Sequence, residues 1–159
     1  MTFGLNALHG KHQISHNVWE GTWDPTNAYD FIKYTISKGY KIDSWELGRT
    51  KYNKWKGYLL CLFLFELTFI LESAAVGNEL SGKGIGASVG VAQYGKDLIK
   101  LKQILGTLYE NSKFKPSLVA PGGFYERQWY DKLLQVSGSG IINVLTHHLY
   151  NLGPGLTVT

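Results

Sequence analysis

The sequence predicts an α/β fold built on a parallel sheet, and three observations carry that expectation. Apolar runs of strand length alternate with longer segments whose apolar residues recur at helical spacing, in the order βαβαβαβ. Strands separated by helices pair in parallel through crossover connections. With 159 residues, 44% hydrophobic and 14% aromatic, the chain has the length and apolar content for one domain with a real core. Periodicity alone leaves barrel and open sheet equally open.

Residues 3–8 are a short apolar run suited to a buried strand, and a loop rich in His, Gly and Trp follows. Asp24-Pro25 opens a helix, because Asp24 can accept from the first free N–H groups and Pro25 is preset for the first helical position. Ala28, Phe31, Ile32, Thr35 and Ile36 line its apolar face, and Gly39 ends it. Residues 41–48 alternate as a strand does. From 87 to 109 the spacing of Val91, Tyr94, Leu98, Leu101, Ile104, Leu105 and Leu108 is helical. Leu118-Val119-Ala120 is a short strand ended by Pro121-Gly122-Gly123. A helix over 125–136 and a last strand over 141–150 complete the order.

Several function classes are excluded or weakened. The net charge of +4 comes without a basic stripe interleaved with aromatics, so nucleic-acid binding is not expected. Gly82-Lys83-Gly84-Ile85-Gly86 is glycine-rich but lacks the spacing of a dinucleotide or phosphate loop. The apolar stretch 58–71 contains Glu66 and falls short of the roughly 20 residues that span a bilayer, so membrane association is not expected. Cys61 has no internal partner for a disulfide, and the N-terminus carries no secretory signal pattern. His147 and His148 suggest a metal, but neighbours on a strand face opposite ways and do not easily serve one site; no metal or cofactor is expected.

Trp45-Glu46-Leu47-Gly48 and Gly77-Asn78-Glu79-Leu80 read as two halves of one motif separated by an insertion. A carboxylic acid after an amide at a strand end suits a proton donor in glycoside cleavage. Glu79 also suits the dipole at a helix start, and Glu46 suits a hydrogen-bonded strand carboxylate. Trp19, Trp23, Tyr125 and Trp129 lie in or near loops, where such rings stack on sugars or pack in the core.

With 49–77 set aside, the joined motif resembles the acid/base motif of plant heparanase-like proteins, glycoside hydrolase family 79. Phe3-Gly4-Leu5-Asn6-Ala7-Leu8, Asn27-Ala28-Tyr29-Asp30-Phe31-Ile32, Ser37-Lys38-Gly39-Tyr40, Tyr94-Gly95-Lys96-Asp97-Leu98-Ile99, Ala120-Pro121-Gly122-Gly123 and Thr146-His147-His148-Leu149-Tyr150 match the family in order. The resemblance implies a partial (β/α)8 TIM barrel, about strands three to six, occupying 1–159 with a non-native insert at 49–77. Glu79 would be the proton donor and then base of a retaining two-glutamate mechanism. Asn78, His147, His148 and Tyr150 would contact substrate, a glycan or glycoside containing glucuronic acid. The nucleophilic glutamate would lie on a later strand, absent from this chain, so the chain alone is expected to be inactive. Family members are usually secreted, to cell wall, lysosome or vacuole. Self-association is expected through open sheet edges. The competing reading is a non-catalytic module that binds glycans or a partner, or one anchored to a membrane or partner through the apolar insert. A retained intron explains 49–77 without a designed role, since removing it rejoins the motif in frame; a lid helix over the site is the alternative.

Overall fold

The computed structural model describes residues 1–48, 80 and 87–149. Asn78, Glu79, Tyr150, the segment 49–77 and the glycine-rich stretch 82–86 lie outside the described residues. Among those described, four strands form one parallel sheet in the order β1 (Thr2–Asn6), β4 (Ser44–Gly48), β6 (Ser117–Phe124), β7 (Val144–His148). Neighbours in the sheet follow one another along the chain. A second, small sheet holds β2 (His12–Ser15), β3 (Val18–Glu20) and β5 (Ser88–Val89).

The three described helices are α1 (Thr26–Ser37), α2 (Val91–Leu108) and α3 (Arg127–Ser137). Asp24 starts α1 by accepting from the Thr26 hydroxyl at 2.6 Å and its N–H at 3.0 Å. Those bonds, the hydroxyl's first, hold the Asp24 carboxyl below its usual range. Gly39 follows the helix at φ +72°, where a residue without Cβ is favoured. Of the apolar face, Ala28, Ile32 and Thr35 are buried, while Phe31 and Ile36 pack at its margin.

Alternation along the strands divides the sheet into two unlike faces. Phe3, Leu5, Trp45, Leu47, Leu118 and Ala120 share one face with buried residues of all three helices in a single core. Trp45 is its centre, with Phe31 edge-on at 5.5 Å and Phe3 at 5.9 Å. Gly4, Glu46 and Val119 lie across from one another on the opposite face. At the β7 edge, Val144 and Leu145 face opposite ways and both remain almost half exposed.

Three expectations change. The first loop is a hairpin, β2 with β3, whose β2 residues are all exposed and so show no burial alternation. The helix expected from 87 begins at Val91, because Ser88 and Val89 pair with β3 instead. The strand expected to stop at Pro121 continues to Phe124 across an irregularity between Pro121 and Gly123, where Gly122 takes φ +58°. The observed order is therefore βββαββαβαβ among the described residues.

Candidate active site

In a parallel α/β sheet the carboxyl ends of the strands are where side chains from different elements converge outside the core. Here that edge carries Asn6, Gly48, Phe124 and His148, followed by the loops they feed. Glu79 and Asn78 lie outside the described residues, but Leu80, the next residue, is fully buried in the core with Leu47 and Trp23. Its carbonyl accepts from Val89 N–H at 3.3 Å. Glu46 stands half-buried one residue below Leu47, on the face opposite the one that the three described helices cover, beside Gly4, which offers no side chain.

His147 and His148 lie on opposite faces of β7, as consecutive strand residues must. His147 is exposed, with its ring 6.1 Å from that of Tyr125; His148 is half-buried, opposite Phe124 in the register. No group of three His, Cys, Asp or Glu side chains capable of holding a metal occurs among the described residues.

Of the four aromatics expected in or near loops, Trp19 lies in β3 and Trp129 in α3, while Trp23 and Tyr125 lie outside the strands and helices. Trp23 is fully buried and donates its indole N–H to Asn6 O at 2.8 Å, so it is structural. Trp129 packs between Tyr94 at 5.6 Å and Tyr130 at 5.7 Å. Trp19 is partly buried against the core. Tyr125 is 61% exposed and rests on Tyr130 at 5.2 Å. Tyr130 is anchored in turn, its hydroxyl lying 3.1 Å from Gly123 O and 3.0 Å from Thr146 O. Tyr125 and His147 are thus the sequence-derived candidates that the described structure brings together.

A tyrosine beneath this edge closes a gap in the sheet. The registers of β4 and β6 place Leu47 after the Glu46–Val119 pair, so its carbonyl should accept from residue 121. Residue 121 is proline, which has no N–H. The Tyr94 hydroxyl from α2 takes that role, donating to Leu47 O at 2.5 Å. Burial, and then the nearby Glu46 charge, push this hydroxyl well above its usual range, so it stays a donor.

The sequence reading also missed a buried ion pair. Lys11 Nζ, fully enclosed, donates to Asp97 Oδ2 at 2.7 Å and to Gly21 O at 2.8 Å, while Gln93 Nε2 donates to Asp97 Oδ1 at 2.8 Å. One signal was available: Asp97 stands beside Tyr94, Leu98 and Leu101 on the apolar stripe of α2, where a lone carboxylate needs a partner. Nothing in the sequence around Lys11 identifies it as that partner.

The sequence model of the "Glycosyl hydrolase family 79, N-terminal domain" matches residues 1–60 and 49–159. The chain is 51% identical over 155 residues to Heparanase-like protein 2 of Arabidopsis thaliana and 49% identical over 156 residues to Heparanase-like protein 1 of the same plant; each alignment covers 98% of this chain and 23% of the relative. It is 28% identical over 166 residues to Baicalin-beta-D-glucuronidase of Scutellaria baicalensis, covering 96% of this chain and 26% of that protein. The chain therefore spans about a quarter of the length of these relatives.

Proposed function

The chain belongs to glycosyl hydrolase family 79, and from that premise we propose that it forms part of a retaining glycosidase barrel acting on β-glucuronosyl glycans, with Glu79 as proton donor. The observation that carries the reading is the sheet itself. Its neighbours follow chain order without a reversal, and all three described helices share one face, which agrees with consecutive strands of a (β/α)8 barrel better than with a doubly wound sheet. Gly48 ends a strand of that sheet and Leu80 is buried in the core beneath it, which agrees with the two flanks of the interrupted motif belonging to one packed unit.

A retaining mechanism needs two carboxyl groups about 5 to 5.5 Å apart, one protonated to serve the leaving oxygen and one ionised to attack the anomeric carbon. Glu79 supplies the first. Asn78, Tyr150 and one of the two histidines, which lie on opposite faces of β7, orient the sugar. The second carboxylate is proposed to come from a later strand outside these 159 residues, so the chain alone binds a glucuronide without turning it over. A glucuronide named for the Scutellaria relative agrees with that substrate class. Titrating the purified chain with a glucuronide-containing oligosaccharide, alongside an aryl glucuronide assay, tests this. Binding weakened by Asn78→Ala, without turnover, is expected. No binding removes the glycan reading, and turnover lost in Glu79→Gln removes the single-carboxylate reading.

The insertion at 49–77 is argued from the sequence, where removing it rejoins Gly48 to Asn78-Glu79 in frame. We propose that 49–77 is translated non-coding sequence. Sequencing the messenger across the junction decides it: transcripts that all retain the segment would favour a lid or an anchor. The usual placement of such enzymes outside the cell or in a lytic compartment is likewise proposed for the full-length protein.

A further inference from the structure

We propose that Lys11 and Asp97 are positioning residues for the proton donor, a buried ionic clamp that holds the β2–β3 hairpin on α2 and, through it, the backbone entering Leu80. The inference rests on the reading of Glu79 as that donor. The clamp begins where the chain leaves β1: Lys11 reaches Asp97 of α2 at 2.7 Å and Gly21 O at the far end of the hairpin at 2.8 Å. One ammonium therefore ties both ends of the hairpin to one helix. Gln93 fixes the other carboxylate oxygen from one turn away on α2.

From the hairpin the connection continues through backbone bonds. β3 pairs in parallel with β5, Val18 opposite Ser88 and Trp19 opposite Val89. Ser88 N–H donates to Asn17 O at 2.6 Å, and Val89 N–H donates to Leu80 O at 3.3 Å. Leu80 is itself buried without exposure. The links are hydrogen bonds, the last of them long at 3.3 Å, and they tie the residue after Glu79 to α2 in addition to its packing with Leu47 of β4. That second tie matters because 49–77 separates Glu79 from the strand end at Gly48. Displacing a reacting group by about 1 Å costs on the order of a hundredfold in rate, so a second anchor has chemical value.

Neither charge is screened by water, the side chains being 0% and 2% exposed. A buried pair gives little net stability over apolar packing, whereas breaking one by removing a partner is costly, so its clearest use is to specify a position. The β2 strand has no apolar grip of its own, since all four of its residues are exposed, and Trp19 of β3 is the hairpin's contact with the core.

The test compares the full chain with Lys11→Met, with Asp97→Asn, and with the double variant Lys11→Met/Asp97→Asn, which removes the clamp without leaving a buried charge unpaired. Native-state amide exchange should show protection at Ser88 and Val89 falling about tenfold or more, with Trp45 and Leu47 of β4 unchanged. The Glu79 side-chain carboxyl resonance, identified by its loss in Glu79→Gln, should titrate with a shifted midpoint in all three variants. Uniform loss of protection, unchanged protection at Ser88 and Val89, or an unmoved Glu79 midpoint would overturn the clamp. A wild-type chain that binds no glucuronide, yet shows both local effects, would leave the clamp standing and remove the glycosidase reading.

Discussion

Replacing Tyr94 with Phe isolates one hydrogen bond at the end of β4 where the candidate site begins. The ring stays and its packing on Trp129 is kept, so the change removes the hydroxyl that donates to Leu47 O at 2.5 Å. Pro121 offers that carbonyl no ladder donor, and Tyr94 is fully buried, so water does not replace the lost partner readily. Leaving a buried acceptor unpaired costs about 1–3 kcal/mol. At a midpoint of about 2 kcal/mol, and roughly 2–4 °C per kcal/mol for a chain of this length, Tm should fall by roughly 4–8 °C. Urea unfolding followed by tryptophan fluorescence reads the change directly. Tyr40→Phe, at an exposed ring, is the control and should stay within about 0.5 kcal/mol of wild type. The same bond sets a base limit. The Tyr94 hydroxyl titrates well above 10.0 when folded, so its contribution is complete below that pH. Above it the unfolded hydroxyl ionises while the folded one stays protonated, and stability falls as pH rises through the folded value. Tyr94→Phe should flatten that part of the stability profile. Equal stability of Tyr94→Phe and wild type, or an unchanged alkaline slope, would refute the reasoning.

Gly95→Ala would place a Cβ 2.7 Å from Val136 Cγ1 where α2 crosses α3, so overpacking of about 1–3 kcal/mol should outweigh the roughly 1 kcal/mol gained in helix propensity; thermal melts should show net loss, reduced when Val136→Ala is added. Trp45→Ala removes the centre of the core between Phe3 and Phe31 and should cost about 3–5 kcal/mol in denaturant titrations. The chain should sediment as a dimer or larger species, because Val144 and Leu145 remain exposed on the last described strand of the sheet; a monomer with a sharp cooperative melt would count against open edges.

What the sequence by itself determined is local and periodic. Asp24-Pro25 marked the start of α1 and Gly39 its end, since capping and positive φ depend on residues a few positions apart. The stripe of Tyr94, Leu98, Leu101 and Leu105 marked α2, a strand-length apolar run marked β1, and alternation over 41–48 marked β4. The ordered motifs identified the family. What only the tertiary structure decided depends on groups far apart in sequence. β2 shows no burial alternation because neither of its faces enters the core, and the hairpin's anchor, Lys11, meets Asp97 across the fold. Pro121 looked like a strand end because it lacks a donor, yet β6 continues past it. The carbonyl left over on β4 is paired by a hydroxyl from a helix that only folding brings there. Periodicity reports which face of an element is apolar; it carries no information about which distant polar group completes a buried hydrogen bond, and that is settled by geometry in three dimensions.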